Sequence, residues 1–231
     1  LGEQRFQKHQ VTALAWQPRY LLSNVTTSCF SIDVLVLHAP HSGWGRVHLQ
    51  EFWKQLHADL DARHRPKSLM IMADANAKLG SMQSLVVGAL DPEEQCLAGS
   101  FFHQFLLEYD CFLPSTFDEM HTGPTKTWTA PPRDGLPATC RRIDYVGIPR
   151  EWAPAVSHSW VERGVDLLLS KDDHWPAALR FTLATQGCTA VGATLYSRKK
   201  QYDVQALRDP LKKFGFLEDL RALPPVSWRT D

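Results

Sequence analysis

Apolar residues in the first third of the chain switch between two periods. Residues 11–16 and 20–25 are short runs rich in branched and aromatic side chains, separated by Gln17, Pro18 and Arg19, and they predict a pair of strands. A third run, 32–37, is more apolar than alternating and stops where Pro40 and Gly43 forbid continuation. Between 47 and 63 the period changes: Leu49, Phe52, Trp53, Leu56 and Leu60 recur at helical spacing with polar residues between them, the pattern of a helix lying on a sheet. Residues 68–72 then form a run apolar enough for a buried strand, which breaks into Asp74 and Asn76. Strand, helix and strand make an α/β unit.

The pattern fades over 77–95, a long loop with Gly80 and Gly88. A second amphipathic helix is predicted over about 99–109, with Phe101, Phe102, Phe105, Leu106 and Tyr109 on one face as core packing, and a turn at 110–114 that Pro114 closes. Segments 125–129 and 142–147 read as a hairpin with a long Pro- and Gly-rich connection, and 156–161, 165–169 and 177–183 as further strands. After Thr185 the composition shifts to small residues, then to the basic Arg198, Lys199 and Lys200, then to a helical pattern over 204–223 broken by Pro210 and Gly215. This divides the chain into a domain over 1–185 and a linker with helical segments over 186–231.

Composition excludes little. With 44% hydrophobic and 22% charged residues the 231-residue chain is ordinary for a globular protein, and 25 Lys plus Arg balance 25 Asp plus Glu. Neutrality leaves room for a local basic stripe on which nucleic acid binds. The five cysteines, Cys29, Cys96, Cys111, Cys140 and Cys188, are scattered and nowhere spaced as a Cys-x-x-Cys pair, against both a disulfide framework and a zinc site. No apolar run approaches the roughly 20 residues of a membrane span, so a soluble, intracellular chain is expected. The start at Leu1 is read as that of a fragment.

Chemistry concentrates at the predicted strand ends. Asp74 and Asn76 project to the same side of an extended chain, where two oxygen-bearing groups hold a hard cation or place a proton on a phosphate ester. The pair alone is equally a turn motif, since Asp and Asn hydrogen-bond the backbone that follows. His38 alone caps a strand, Asp144 alone pairs with Arg141 or Arg142, and Asp173 with His174 alone makes a turn before Pro176.

Taken in order, His38-Ala-Pro after one apolar strand, Asp74-x-Asn76 after the next, Thr127-Trp128, Arg142-Ile-Asp144-Tyr and Asp173-His174-x-Pro resemble the endonuclease/exonuclease/phosphatase superfamily. That group includes apurinic/apyrimidinic endonucleases, deoxyribonuclease I, sphingomyelinases, inositol-phosphate phosphatases and the endonuclease domains of non-LTR retrotransposons. The resemblance spans about residues 12–183, and the phrasing at His38 with the basic segment after the domain is similar to the retrotransposon branch. It implies a four-layer α/β sandwich of two mixed, largely antiparallel sheets flanked by helices, incomplete at the N-terminus. It further implies a Mg²⁺- or Mn²⁺-dependent phosphodiesterase acting on DNA, in the nucleus if it serves a retroelement, with a reverse transcriptase region downstream in the same polypeptide. His174 matches the imidazole that contacts the scissile phosphate or activates water, and Asp144 the carboxylate that orients it. Asp74 matches the proton-transfer carboxylate, Asn76 its partner in placing the nucleophile, and Asp173 a metal-associated carboxylate; Asp74 and Asn76 would share the metal. Oxygen ligation without cysteine favours Mg²⁺ or Mn²⁺ over zinc.

Two departures set further expectations. His38 stands where most of the family has Tyr, so that position titrates differently. Nothing before Val11 matches the family's metal-ligand Glu, which implies weak metal binding and a poor nuclease. Two rivals follow: a phosphatase or lipid phosphodiesterase on the same core, told apart by whether Arg133, Arg141 and Arg142 line one face of the site, and a non-catalytic remnant that binds nucleic acid or protein.

Overall fold

A computed structural model of the chain describes residues 7–62, 68–130, 138–164 and 173–182. Its centre is a six-stranded mixed sheet in the order β1-β2-β3-β4-β8-β5. The strands β1 (Val11–Gln17), β2 (Tyr20–Thr26), β3 (Ser31–His38) and β4 (Leu69–Asp74) fall where the short apolar runs predict them. β1, β2 and β3 are antiparallel neighbours, whereas β3 and β4 run parallel because the helix between them carries the chain back across the sheet. β8 (Asp144–Pro149) pairs antiparallel with β4 on one side and with the short β5 (Cys111–Phe112) on the other.

Helices α1 (Arg46–Asp61) and α2 (Leu97–Glu108) close one face of this sheet. α1 buries Leu49, Trp53, Leu56 and Leu60, four of the five residues picked out by the helical period, and half-buries the fifth, Phe52. α2 buries Phe102, Phe105 and Leu106, and Trp53 meets Phe105 with ring centroids 5.1 Å apart, which locks the two helices together. Inward-pointing Leu22, Leu35, Ile71 and Ala73 complete the core, the two leucines and the isoleucine each contributing roughly 1.5–3 kcal/mol by leaving water.

The opposite face is only partly covered. Trp16, Leu21, Val36, Met72 and Val146 are cross-strand partners in one row, and the first four are 75%, 40%, 46% and 44% exposed. A ribbon of β9 (Val156–Val161) and β10 (Ala177–Phe181) lies over the β8 end, leaving a cavity of about 470 Å³ between Met70, Met72 and Val146 on the sheet and Ala177 to Leu179 on the ribbon.

Three local readings change. The turn at 110–114 contains β5, because Asp110 takes a positive φ of 49° and returns the chain to the sheet edge. The hairpin after Thr125 is built from β6 (Trp128–Thr129) and β7 (Cys140–Arg141) rather than from 142–147, which joins the large sheet. The segment 77–95 is irregular but packed: Leu79, Val86 and Val87 are buried, and the guanidinium of Arg142, itself 2% exposed, donates to the carbonyls of Leu90, Asp91 and Ser115. Cys96, Cys111 and Cys140 are free, while Cys29 is disulfide-bonded, which its spacing did not signal. The strand read at 165–169, Arg133, and the linker read at 186–231 lie outside the described residues. Among the described residues no helix is long and apolar enough to cross a membrane.

Gly88 tests the packing of the long loop. Its N–H donates to Thr116 Oγ1 at 2.8 Å, and a Cβ there would sit 2.3 Å from the Thr116 carbonyl oxygen. Gly88→Ala is therefore expected to cost about 1–3 kcal/mol in urea unfolding, the ordinary range for an overpacked site. A change below about 0.5 kcal/mol, the level of an exposed substitution, would show the loop free to move away.

Candidate active site

The registers of β3, β4 and β8 set His38, Asp74 and Asp144 side by side, each the direct partner of the next across three adjacent strands. Because side chains alternate, all three project from the same face, at the end of the sheet where β3 and β4 finish. His38 Nε2 lies 3.7 Å from Asp74 Oδ2. A fourth group arrives from a separate segment: Trp175 N donates to Thr127 O at 2.7 Å and Thr129 N to Asp173 O at 2.9 Å, so residues 173–175 run alongside β6. That pairing delivers His174, whose Nδ1 stands 3.1 and 3.3 Å from the two oxygens of Asp144. One ligand atom from each of Asp74, Asp144 and His174 fits within a mutual distance of 4.8 Å.

Burial governs the electrostatics. It pushes the Asp144 carboxyl up from 3.8 to about 6; the neighbouring Asp74 charge adds to the rise, and the Thr127 hydroxyl and His174 oppose it. At neutral pH Asp144 is ionised, so the Nδ1–H of His174 donates to it. This fixes the tautomer that leaves Nε2 with its lone pair, and Nε2 makes no hydrogen bond among the described residues.

The other predicted residues divide. Asn76 adopts a φ of 47°; its N–H donates to Asp74 Oδ1 at 3.2 Å and its Nδ2 to Ala39 O at 2.9 Å, tying the loops after β3 and β4 together. The turn reading of the Asp74–Asn76 pair is thus realised, right beside the carboxylates. Asp173 contributes its backbone carbonyl to Thr129, and its carboxylate is not a member of the Asp74, Asp144, His174 group. Arg141 and Arg142 do not pair with Asp144: Arg142 is buried on backbone carbonyls, and Arg141 Nε lies 3.9 Å from Glu93.

The structure gives a positioning role to Thr127, which the sequence marked only as part of the Thr127-Trp128 motif. Thr127 is 1% exposed, and its Oγ1 accepts the N–H groups of Ile143 and Asp144 at 3.1 and 3.0 Å as well as supporting the Asp144 carboxylate.

No family model matches this sequence, and no curated protein matches it either. Solved structures do. The endonuclease domain of TRAS1, a telomere-specific non-LTR retrotransposon, superposes with a TM-score of 0.51 at 16% identity, over 77% of this chain and 71% of that one. The 3'-5' exonuclease NExo from Neisseria meningitidis gives 0.51 at 18% identity, over 72% of this chain and 66% of its own. A single-residue variant of a Neisseria NExo, a 3' phosphatase bound to a product DNA hairpin, gives 0.51 at 17%, over 75% and 70%. The chain has the endonuclease/exonuclease/phosphatase fold.

Among the described residues, Asp74, Asp144 and His174 are the group that could hold a metal ion. Asp74 and Asp144 are adjacent carboxylates in a half-buried site, where a bound cation would relieve their mutual repulsion. Two carboxylates with one imidazole are few ligands for such an ion, so binding is expected to be weak.

Proposed function

We propose that this chain hydrolyses phosphodiesters, with DNA as its substrate, as the endonuclease domain of a retroelement-derived protein that works beside a reverse transcriptase region and on nuclear DNA. The observation that carries the reading is the row His38, Asp74, Asp144 backed by the His174–Asp144 pair. A phosphodiester resists attack because its charge repels nucleophiles, so hydrolysis needs a cation on the non-bridging oxygens, a base for water and a proton for the leaving oxygen. A divalent ion held by Asp74 and Asp144 supplies the first when bound. His174, oriented through Nδ1 by Asp144, presents Nε2 to the phosphate or to the attacking water. Asp74 and His38, 3.7 Å apart, share the proton work, and Asn76 holds the two loops at the required spacing.

The metal requirement is tested by titrating Mn²⁺ and following the free ion by electron paramagnetic resonance, alongside hydrolysis of bis(p-nitrophenyl) phosphate. One site filling only at millimolar Mn²⁺, with hydrolysis that rises in step and vanishes in EDTA, is the expected result. Full hydrolysis in EDTA would overturn the metal-dependent reading. A phosphatase or lipid phosphodiesterase on the same core remains the second reading, and it is favoured by Arg141 and Arg142 being engaged elsewhere rather than lining the site.

A further inference from the structure

If those arginines do not meet a nucleic acid, another surface beside the site does so better. The chain leaving β3 at His38 forms a short turn, Ser42–Trp44, and ends it on an indole that is 44% exposed. The guanidinium of Arg19 lies 4.4 Å from the centre of that ring, and the imidazoles of His41 and His48 stand edge-on to it at 6.4 and 6.2 Å. Arg19 Nη1 also donates to the carbonyl of His38 at 3.4 Å, and the His38 ring contacts Asp74. The cation that holds Trp44 is therefore one residue removed from the polar row. Among the described residues no carboxylate pairs with Arg19 or Arg46, whereas Lys126 and Arg150 both have acidic partners.

An exposed indole fixed by a guanidinium and flanked by imidazoles is poor core material and a good stacking surface. Every nucleobase offers a π-face, and an unpaired guanidinium beside it suits the adjoining backbone phosphate. We propose that Trp44 and Arg19 form a platform for an unpaired base of a nucleic acid strand, next to the phosphate that the Asp74–Asp144–His174 site takes. The phosphate's position rests on the hydrolase reading, but stacking on Trp44 needs neither metal nor reaction. A base in a continuous duplex keeps its faces against its neighbours, so the platform selects single strands, overhangs and bulges.

The test is fluorescence anisotropy in EDTA at low salt, with labelled single-stranded DNA and RNA dodecamers of one sequence and a blunt DNA duplex. Wild-type protein should bind the single strands more tightly than the duplex, and DNA and RNA alike if the base is what is read. Trp44→Ala should weaken single-strand binding about tenfold or more, in keeping with the loss of one stacked base, and Trp44→Phe should restore most of it. Arg19→Gln should lower the salt slope by about 0.7, the share of one phosphate on a single strand. Equal binding of duplex and single strand, unchanged by Trp44→Ala and Arg19→Gln, would overturn the platform even if hydrolysis is found. Trp44-dependent strand binding by a chain that hydrolyses no phosphodiester would leave the platform standing and remove the hydrolase reading.

Discussion

Asn in place of Asp74 is expected to slow phosphodiester hydrolysis by about a thousandfold, within the 10²–10⁴ range typical of a positioned acid or base, while leaving the fold intact. Asp74 is the middle member of the row, the direct partner of both His38 and Asp144, so its carboxylate faces both the cation and the proton path. His174→Ala should fall in the same range, because it removes the imidazole that the Asp144 carboxylate orients through Nδ1. The double variant should be little slower than either single one, since groups that act as a unit do not lose independently. Initial rates at saturating Mn²⁺ measure all three. A loss below about tenfold for Asp74→Asn would mean that the chemistry lies elsewhere.

Asp144→Asn is expected to be inactive yet, without metal, more stable than the parent at neutral pH. The folded carboxyl binds its proton more tightly than the unfolded one, about 6 against 3.8, chiefly because burial penalises the charge. Its contribution to stability is therefore present below about pH 4 and lost as pH rises through 6. The difference is worth on the order of 3 kcal/mol, at 1.36 kcal/mol for each pKa unit. Asn at that position still accepts from Thr127 and carries no charge to bury. Urea unfolding from pH 4 to 8 should show the gap between variant and parent moving in favour of Asn by a few kcal/mol, all of it between pH 4 and 7. A gap that stays constant with pH would mean that Asp144 is ionised at no cost to the fold.

Much of this frame was legible because strong periodicity survives any context. The four residues that α1 buries are among the five set by the helical period, and β1 to β4 end within a few residues of their apolar runs. Where an element is two residues long, as in β5 and β7, there is no period to read, and pairing across the sheet decides. Arg142 looked like a surface charge or an ion-pair partner because its buried partners are carbonyls from 27 to 52 residues away, which no local pattern announces. The site shows the same division. That Asp74, Asp144 and His174 belong to strand ends was visible; that His38, Asp74 and Asp144 stand in one row depends on the register of three strands. Asp173 and His174 carry distinct implied roles, and the fold places them differently: Asp173 gives its backbone carbonyl to Thr129, while the His174 ring meets Asp144.

The most direct test is nicking of supercoiled plasmid at excess protein, in millimolar Mn²⁺, by the chain and by its Asp74→Asn and His174→Ala variants prepared in parallel. Slow conversion to the open circle by the parent, abolished by EDTA and by either substitution, is the predicted result. Conversion at the same rate by all three proteins, or none by the parent at any metal concentration, would contradict a phosphodiesterase site built on Asp74, Asp144 and His174.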